Sequence, residues 1–219
     1  MGATLLISPA CRQAHGTTTT GAAVASLISA GTSLQAGPGD SLFARLDRSR
    51  IQGDSTARVW MIMISDFQCP YCKQWHDASF AELERDYVAT GKVRMAFINF
   101  PLRVHPNAHP AAEVAMCAGL QGKFWQMHDA LYATQDRWAP RSPVAPALDS
   151  VAAAVGVDTQ AMNACVAGHV ADALIQSDYD RGERAGVRST PTVVIGQQLL
   201  AGVQPTENYR RALDAALGH

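Results

Sequence analysis

Charge is scarce in this sequence. Only 17% of the residues are Asp, Glu, Lys or Arg, the net charge is −1, and no long run of either sign occurs. A polyanion-binding surface needs clustered Lys and Arg, so nucleic acid is not an expected partner. No apolar stretch reaches the roughly 18–20 residues that a membrane-spanning helix needs. Membrane contact is therefore expected only through an N-terminal anchor. Internal repeats are missing. So is a second C-x-x-C: Cys117 and Cys165 lack that spacing, and His105 and His109 are each followed by a proline. A four-ligand zinc site has no pattern to rest on, and no metal is expected.

The apolar fraction of 47% over 219 residues fits one globular domain of ordinary size, with or without an insertion. Residues 1–40 read differently. Met1 to Ala10 is short and apolar with no basic residue ahead of it, and it reads as the tail of an export signal. From Cys11 to about Gly39 the chain is a polar, Gly/Pro-containing tract, read as a flexible tether. A lipoprotein signal with Cys11 acylated is one version; Ala10 suits it, Ser8 and Pro9 do not. A mis-assigned start or a plain disordered leader are the alternatives. The folded domain is expected over 41–219, in a periplasmic or other extracytoplasmic compartment.

Residues 58–65 form a continuous apolar run, as in a strand buried on both faces. Pro70 suits the first turn of a helix. After it Trp75, His76, Phe80, Leu83 and Tyr87 recur at helical spacing, and Gly91 ends the helix. A second apolar strand is expected over 93–100. Val114, Cys117, Leu120, Phe124, Met127 and Leu131 then form one helical stripe, broken near Gly119–Gly122 into two helices. Pro140, Pro143 and Pro146 mark a loop. Helices follow over 147–155, 158–167 (with Asp158 as N-cap) and 170–185. Strands over 192–195 and 198–201 flank a turn at Gly196-Gln197. A last helix carries Tyr209, Leu213 and Leu217 and stops at Gly218. The order is strand–helix–strand, a helical block over about 104–186, then strand–strand–helix. This is an α/β fold whose βαβ and ββα halves are separated by a helical insertion.

The chemistry concentrates at Cys69-Pro70-Tyr71-Cys72. A strand feeding a helix there places Cys69 at the helix N-terminus, where unpaired N–H groups and the helix dipole favour a negative sulfur. An exposed, acidified Cys69 is expected, with Cys72 one turn further on and facing inward, ready to attack a mixed disulfide. Tyr71 adds no positive charge. Phe67 and Tyr71 are expected to form an apolar rim. His76 is expected to pack on the helix, with the option of tuning Cys69. Cys117 and Cys165 lie on apolar stripes, and a structural disulfide between them is the expectation; two buried free thiols are the alternative. No cofactor is needed beyond the redox-active Cys69–Cys72 disulfide.

Three segments together resemble the DsbA-like thioredoxin family: Asp66-Phe67-Gln68-Cys69-Pro70-Tyr71-Cys72; Gln121-Gly122-Lys123-Phe124-Trp125 with His128-Asp129; and Gly186-Val187-Arg188-Ser189-Thr190-Pro191-Thr192. The resemblance runs from about Ser41 to the C-terminus. It implies a thioredoxin-like fold and a thiol–disulfide oxidoreductase, with a DsbA-like oxidase as the first reading. An isomerase or reductase, or a non-catalytic peptide-binding module, are the alternatives. It also implies a cis bond at Thr190-Pro191, with the Thr190 backbone open to an extended substrate. Substrates would be reduced or misoxidised extracytoplasmic proteins, and a redox partner would recycle the pair. One departure stands out: family members often carry a buried Glu six residues before the first cysteine, and here that position is Met63.

Overall fold

The structure, a computed structural model, describes residues 41–218. The leader, the tether and Cys11 lie outside the described residues. The described residues start with a helix that the hydrophobic pattern did not single out, α1 (Leu42–Ser49), capped by the Ser41 side chain, and a two-residue strand, β1 (Ile51–Gln52). Then come β2 (Val59–Ser65) and a long helix, α2, over residues 70–88. Two stretches of α2, His76–Phe80 and Glu84–Val88, are wound with the wider π spacing. Gly91, at φ 75°, turns the chain into β3 (Val93–Asn99).

The insertion comprises α3 (Ala108–Gly119), α4 (Phe124–Ala133), α5 (Gln135–Trp138), α6 (Ala145–Ala154), α7 (Thr159–Ala167) and α8 (Asp172–Arg184). The chain closes with β4 (Thr192–Ile195), β5 (Gln198–Ala201) and α9 (Thr206–Leu217). Asp158 caps α7 by accepting from the Ala161 N–H at 3.0 Å. Gly218 ends α9 with a left-handed φ of 88°. Pro146 falls in the first turn of α6 rather than in the loop, where a missing N–H costs nothing.

The five strands lie in the order β1-β3-β2-β4-β5. β2 and β3 are parallel neighbours; the other three pairings are antiparallel. Side chains alternate along the central strands. Met61, Met63, Met95, Phe97 and Val193 face a large core with α2, α9 and much of the insertion. Ile62, Ile64, Ile98 and Val194 face a smaller one closed by Phe100 and Val187. Both faces are buried, which is why β2 reads as an unbroken apolar run.

One covalent tie holds two helices of the insertion together, and one charged tie fixes the insertion to the sheet. Cys117 and Cys165 are joined as a disulfide, linking α3 to α7 across 48 residues of sequence. In the chain-entropy view a loop of that length is worth roughly 4 kcal/mol. The second tie is the fully buried Asp178 of α8. It pairs with Arg50 and Arg181 and accepts from the backbone N–H and the side-chain amide of Asn99, both at 3.0 Å. Arg50 also pairs with Asp47, and its carbonyl accepts from the Phe97 N–H at 3.1 Å. Asp178→Ala strands a buried guanidinium and an amide. Denaturant titration is expected to show a loss of about 3–5 kcal/mol.

Candidate active site

The chain must turn between Ser65, the last residue of β2, and Pro70, the first of α2. Asp66 builds that turn. Its Oδ1 accepts from the backbone N–H groups of Gln68 (2.7 Å) and Cys69 (3.1 Å). Its Oδ2 accepts from the Leu102 N–H at 2.8 Å and meets the His105 ring at 2.7 Å. Burial raises the Asp66 pKa in spite of these bonds. The loop's remaining polar groups are taken by the insertion. Gln135 of α5 donates to the carbonyls of Phe67 (2.6 Å) and Cys69 (3.0 Å). Gln68 donates to the Ala139 carbonyl at 2.9 Å and accepts from the Asn107 N–H at 2.6 Å.

Cys69 sits at the N-cap of α2, ahead of Pro70. The Thr190–Pro191 peptide bond is cis, and the Thr190 carbonyl lies 3.5 Å from the Cys69 sulfur. Cys69 and Cys72 are both free thiols, and Cys72 is fully buried. The Cys69 pKa is lowered to about 6. The largest cause is a hydrogen bond from the Cys72 thiol; burial opposes it, and contacts from Thr190 and from the N–H groups of Cys72 and Tyr71 reinforce it. The Thr190 hydroxyl is buried with no other partner, so an ionised sulfur is the acceptor it lacks. Burial pushes Cys72 the opposite way, well up, and the neighbouring Cys69 adds to the effect. Two donors resist that rise: the Ser65 hydroxyl and the Asp66 N–H, the latter 3.5 Å from the Cys72 sulfur. The Ser65 hydroxyl is itself 2.8 Å from the buried Tyr132 hydroxyl of α4.

The family model described as Thioredoxin matches residues 46–215. The chain belongs to the thioredoxin family. Among solved structures of this family's fold, BdbD from Bacillus subtilis superposes with a TM-score of 0.70 at 17% identity, covering 78% of this chain and 93% of that one. α-DsbA1 from Wolbachia pipientis gives 0.69 at 20% identity, covering 86% and 96%. The probable disulfide bond formation protein D of Bacillus anthracis is 25% identical over 186 residues, 82% of each chain. A Na(+)/H(+) antiporter, NhaA 3, of Salinispora tropica is 35% identical over 150 residues. Those residues are 68% of this chain and only 22% of the antiporter, so the chain spans about a fifth of that relative's length. Among the described residues no helix is long and apolar enough to cross a membrane.

The thioredoxin-type site departs from the sequence expectations at Cys69, Phe67 and Thr190, while His76 packs on its helix as expected. Cys69 is not exposed; it is 3% accessible, roofed by the cis-proline loop. Phe67 is not on the rim. It is 1% exposed and stacks on Phe97 at 4.8 Å, leaving Tyr71, at 62%, as the aromatic at the surface. Thr190 is likewise covered, with its carbonyl turned to Cys69. His76 stacks on Phe80, and its ring nitrogens face Asp77 and Asp129 at 3.1 and 3.2 Å rather than Cys69. The residues missed were Ser65, Tyr132 and Gln135. Ser65 carried one signal, as the only polar residue closing an apolar strand. Nothing local marks the other two, because their role exists only once the insertion has docked.

Absorbance of the reduced protein at 240 nm is expected to show a thiolate midpoint near pH 6. In Cys72→Ala, which removes the chief donor, the midpoint should move up toward the free-thiol range of about 8.5. The stability consequence has a definite sign. Cys69 is more acidic folded than unfolded, so the reduced protein gains stability above about pH 8.5 and loses that gain as pH falls toward 6. Ser65→Ala removes a donor to the Cys72 sulfur. Closure of a trapped Cys69 mixed disulfide, followed by stopped flow, should slow by about tenfold or more.

Proposed function

We propose that the protein is a thiol–disulfide oxidoreductase that exchanges disulfides with protein substrates through Cys69 and Cys72, in the manner of a DsbA-like oxidase. The observation that carries this reading is the split between the two sulfurs: one acidic at a helix start, the other buried and held protonated beside it. In the oxidising direction a substrate thiolate attacks the Cys69 sulfur of the Cys69–Cys72 disulfide. The Cys69–Cys72 bond breaks, its electron pair leaves on Cys72, and a mixed disulfide forms at Cys69. A second substrate thiolate then attacks the substrate sulfur. Cys69 departs as a stable thiolate, the substrate disulfide is complete, and the dithiol awaits a redox partner. A low pKa at Cys69 makes it the better leaving group and stabilises the reduced enzyme, so the enzyme disulfide is oxidising.

Thr190 and cis-Pro191 form the wall that an extended substrate would meet after a small outward shift of the loop, and Tyr71 and Pro70 supply the exposed lip. The Cys117–Cys165 disulfide supports an extracytoplasmic setting, since such bonds persist where the environment is oxidising.

The redox equilibrium against glutathione tests the reading. A reduction potential well above thioredoxin's value of about −270 mV is expected, together with oxidative refolding of a reduced substrate that Cys69→Ser abolishes. A potential at or below thioredoxin's would make the same pair a reductase. Unchanged substrate handling by Cys69→Ser would leave a peptide-binding module.

A further inference from the structure

Four titratable side chains gather on the insertion, on elements that do not carry the cysteine pair. His109 and Glu113 stand one turn apart on α3, and Asp172 opens α8. His169 lies in the turn joining α7 to α8, with a left-handed φ of 52°. His109, Glu113 and Asp172 each offer a ligand atom, and these atoms lie within 4.8 Å of one another. His169 Nδ1 is 3.8 Å from Glu113 Oε1 and 3.1 Å from Asp172 Oδ2.

The spacings matter. His109 Nδ1 lies 3.4 Å from Glu113 Oε2, and His109 Nε2 lies 3.9 Å from Asp172 Oδ1. With the 3.8 Å contact, these exceed the roughly 2.7–3.2 Å of a hydrogen bond, whereas the 3.1 Å contact of His169 with Asp172 does not. Only one His109 nitrogen can bind a given ion, so the set that could share one is one atom from each residue, all within 4.8 Å of one another, which must draw in toward the roughly 3.3–3.5 Å separation of ligands on a four-coordinate ion. Asp172 Oδ1 is buried and has no hydrogen-bond partner. Glu113 is 8% exposed, and the ion-pair partners recorded for both carboxylates are these two histidines. Two carboxylates so placed, one of them largely buried, need positive charge beside them, which a protonated histidine or a bound cation supplies. The cluster His76, His128 and Asp129 differs: its 3.2 and 2.7 Å contacts are ordinary hydrogen bonds and need no ion.

We propose that His109, Glu113 and Asp172, closed by His169, form a binding site for a divalent cation of the zinc class. The mix of imidazole and carboxylate donors suits Zn2+ better than Ca2+ or Mg2+, which favour oxygen alone. The exposed His169 ring completes the set by turning toward the ion. The neighbouring disulfide supplies rigidity. Cys117 is one turn beyond Glu113 on α3, and Cys165 is four residues before His169, so the bond holds the α7–α8 turn against α3. An ion there is a second clamp on the insertion. The sequence concealed it because the ligands come from three elements and form no spaced motif.

The test is titration of zinc chloride into untagged full-length protein, monitored by calorimetry. The background is Cys69→Ala/Cys72→Ala with the Cys117–Cys165 bond intact, so that thiols do not compete. One saturable equivalent is expected, together with a raised unfolding temperature. His109→Ala, Asp172→Asn and the surface change His169→Ala should each weaken binding by more than about tenfold. Circular dichroism of each variant without metal identifies any that fail to fold, and His169→Ala, whose side chain is 73% exposed, is the safeguard among them. Absence of saturable binding would overturn the proposal. So would zinc affinity unchanged in all folded variants, or Ca2+ binding as tightly as Zn2+.

Discussion

The hydrogen bond from the Cys72 thiol to the Cys69 sulfur is the contact on which the rest of the site depends. It is the largest influence lowering Cys69, ahead of Thr190 and the helix-start N–H groups. The same contact raises Cys72, second only to burial. One proton shared unequally between two sulfurs thus sets both acidities. The helix turn supplies the spacing, and Pro70 removes an N–H that would otherwise lack an acceptor. Burial of Cys72 keeps the proton on the donor side.

Such a contact needs the loop before α2 to be held still, and the sheet alone cannot do that. Between Ser65 and Pro70 the backbone leaves the strand ladder, and its polar groups require partners elsewhere. Asp66 supplies them on one side, Gln135 and Gln68 on the other, and both glutamines work through α5 or the segment after it. The helical insertion is therefore part of the active-site scaffold. Its attachment to the sheet rests on Asp178, paired with Arg50 and bonded to Asn99, while the Cys117–Cys165 bond holds two of its own helices together.

Much of this was legible in the sequence because it followed one-dimensional rules. The apolar run before Cys69, the helical stripe after it, the Asp158 cap and the Gly218 stop are local signals, and each marked its element. The β4–β5 hairpin was set by Gly196 in the same way. What escaped were features with one end far away in sequence. α1 has few apolar residues and gains its place from Leu46 and the buried Arg50. Ser142–Pro143 is cis, and no residue beside it announces this. Phe67 was placed at the surface because a loop residue beside a reactive cysteine suggests a rim. In fact the Asp66 turn aims it inward, onto Phe97. Cys69 was expected to be open because a nucleophile needs access, yet the cis-proline loop covers it.

The replacement of the family's acid by Met63 acquires a physical reading in this setting. Met63 and Ser65 share one face of β2, since they are two residues apart on a strand, and Cys72 packs in the same core. Asp66 cannot serve as a substitute: its two carboxylate oxygens are committed to the Gln68, Cys69 and Leu102 N–H groups and to His105. What Cys72 meets instead is the Ser65 hydroxyl, oriented by Tyr132, and a backbone N–H. Hydroxyl and amide donors stabilise a departing thiolate but do not readily take its proton. Burial holds Cys72 well above its usual range, so it is a poor leaving thiolate until it gains a proton and a poor nucleophile until it loses one. The reverse reaction must first remove a proton from a buried sulfur with no base beside it. A group that relays the Cys72 proton serves both directions, so Met63 in its place bears on rate, whereas the acidic Cys69 bears on direction.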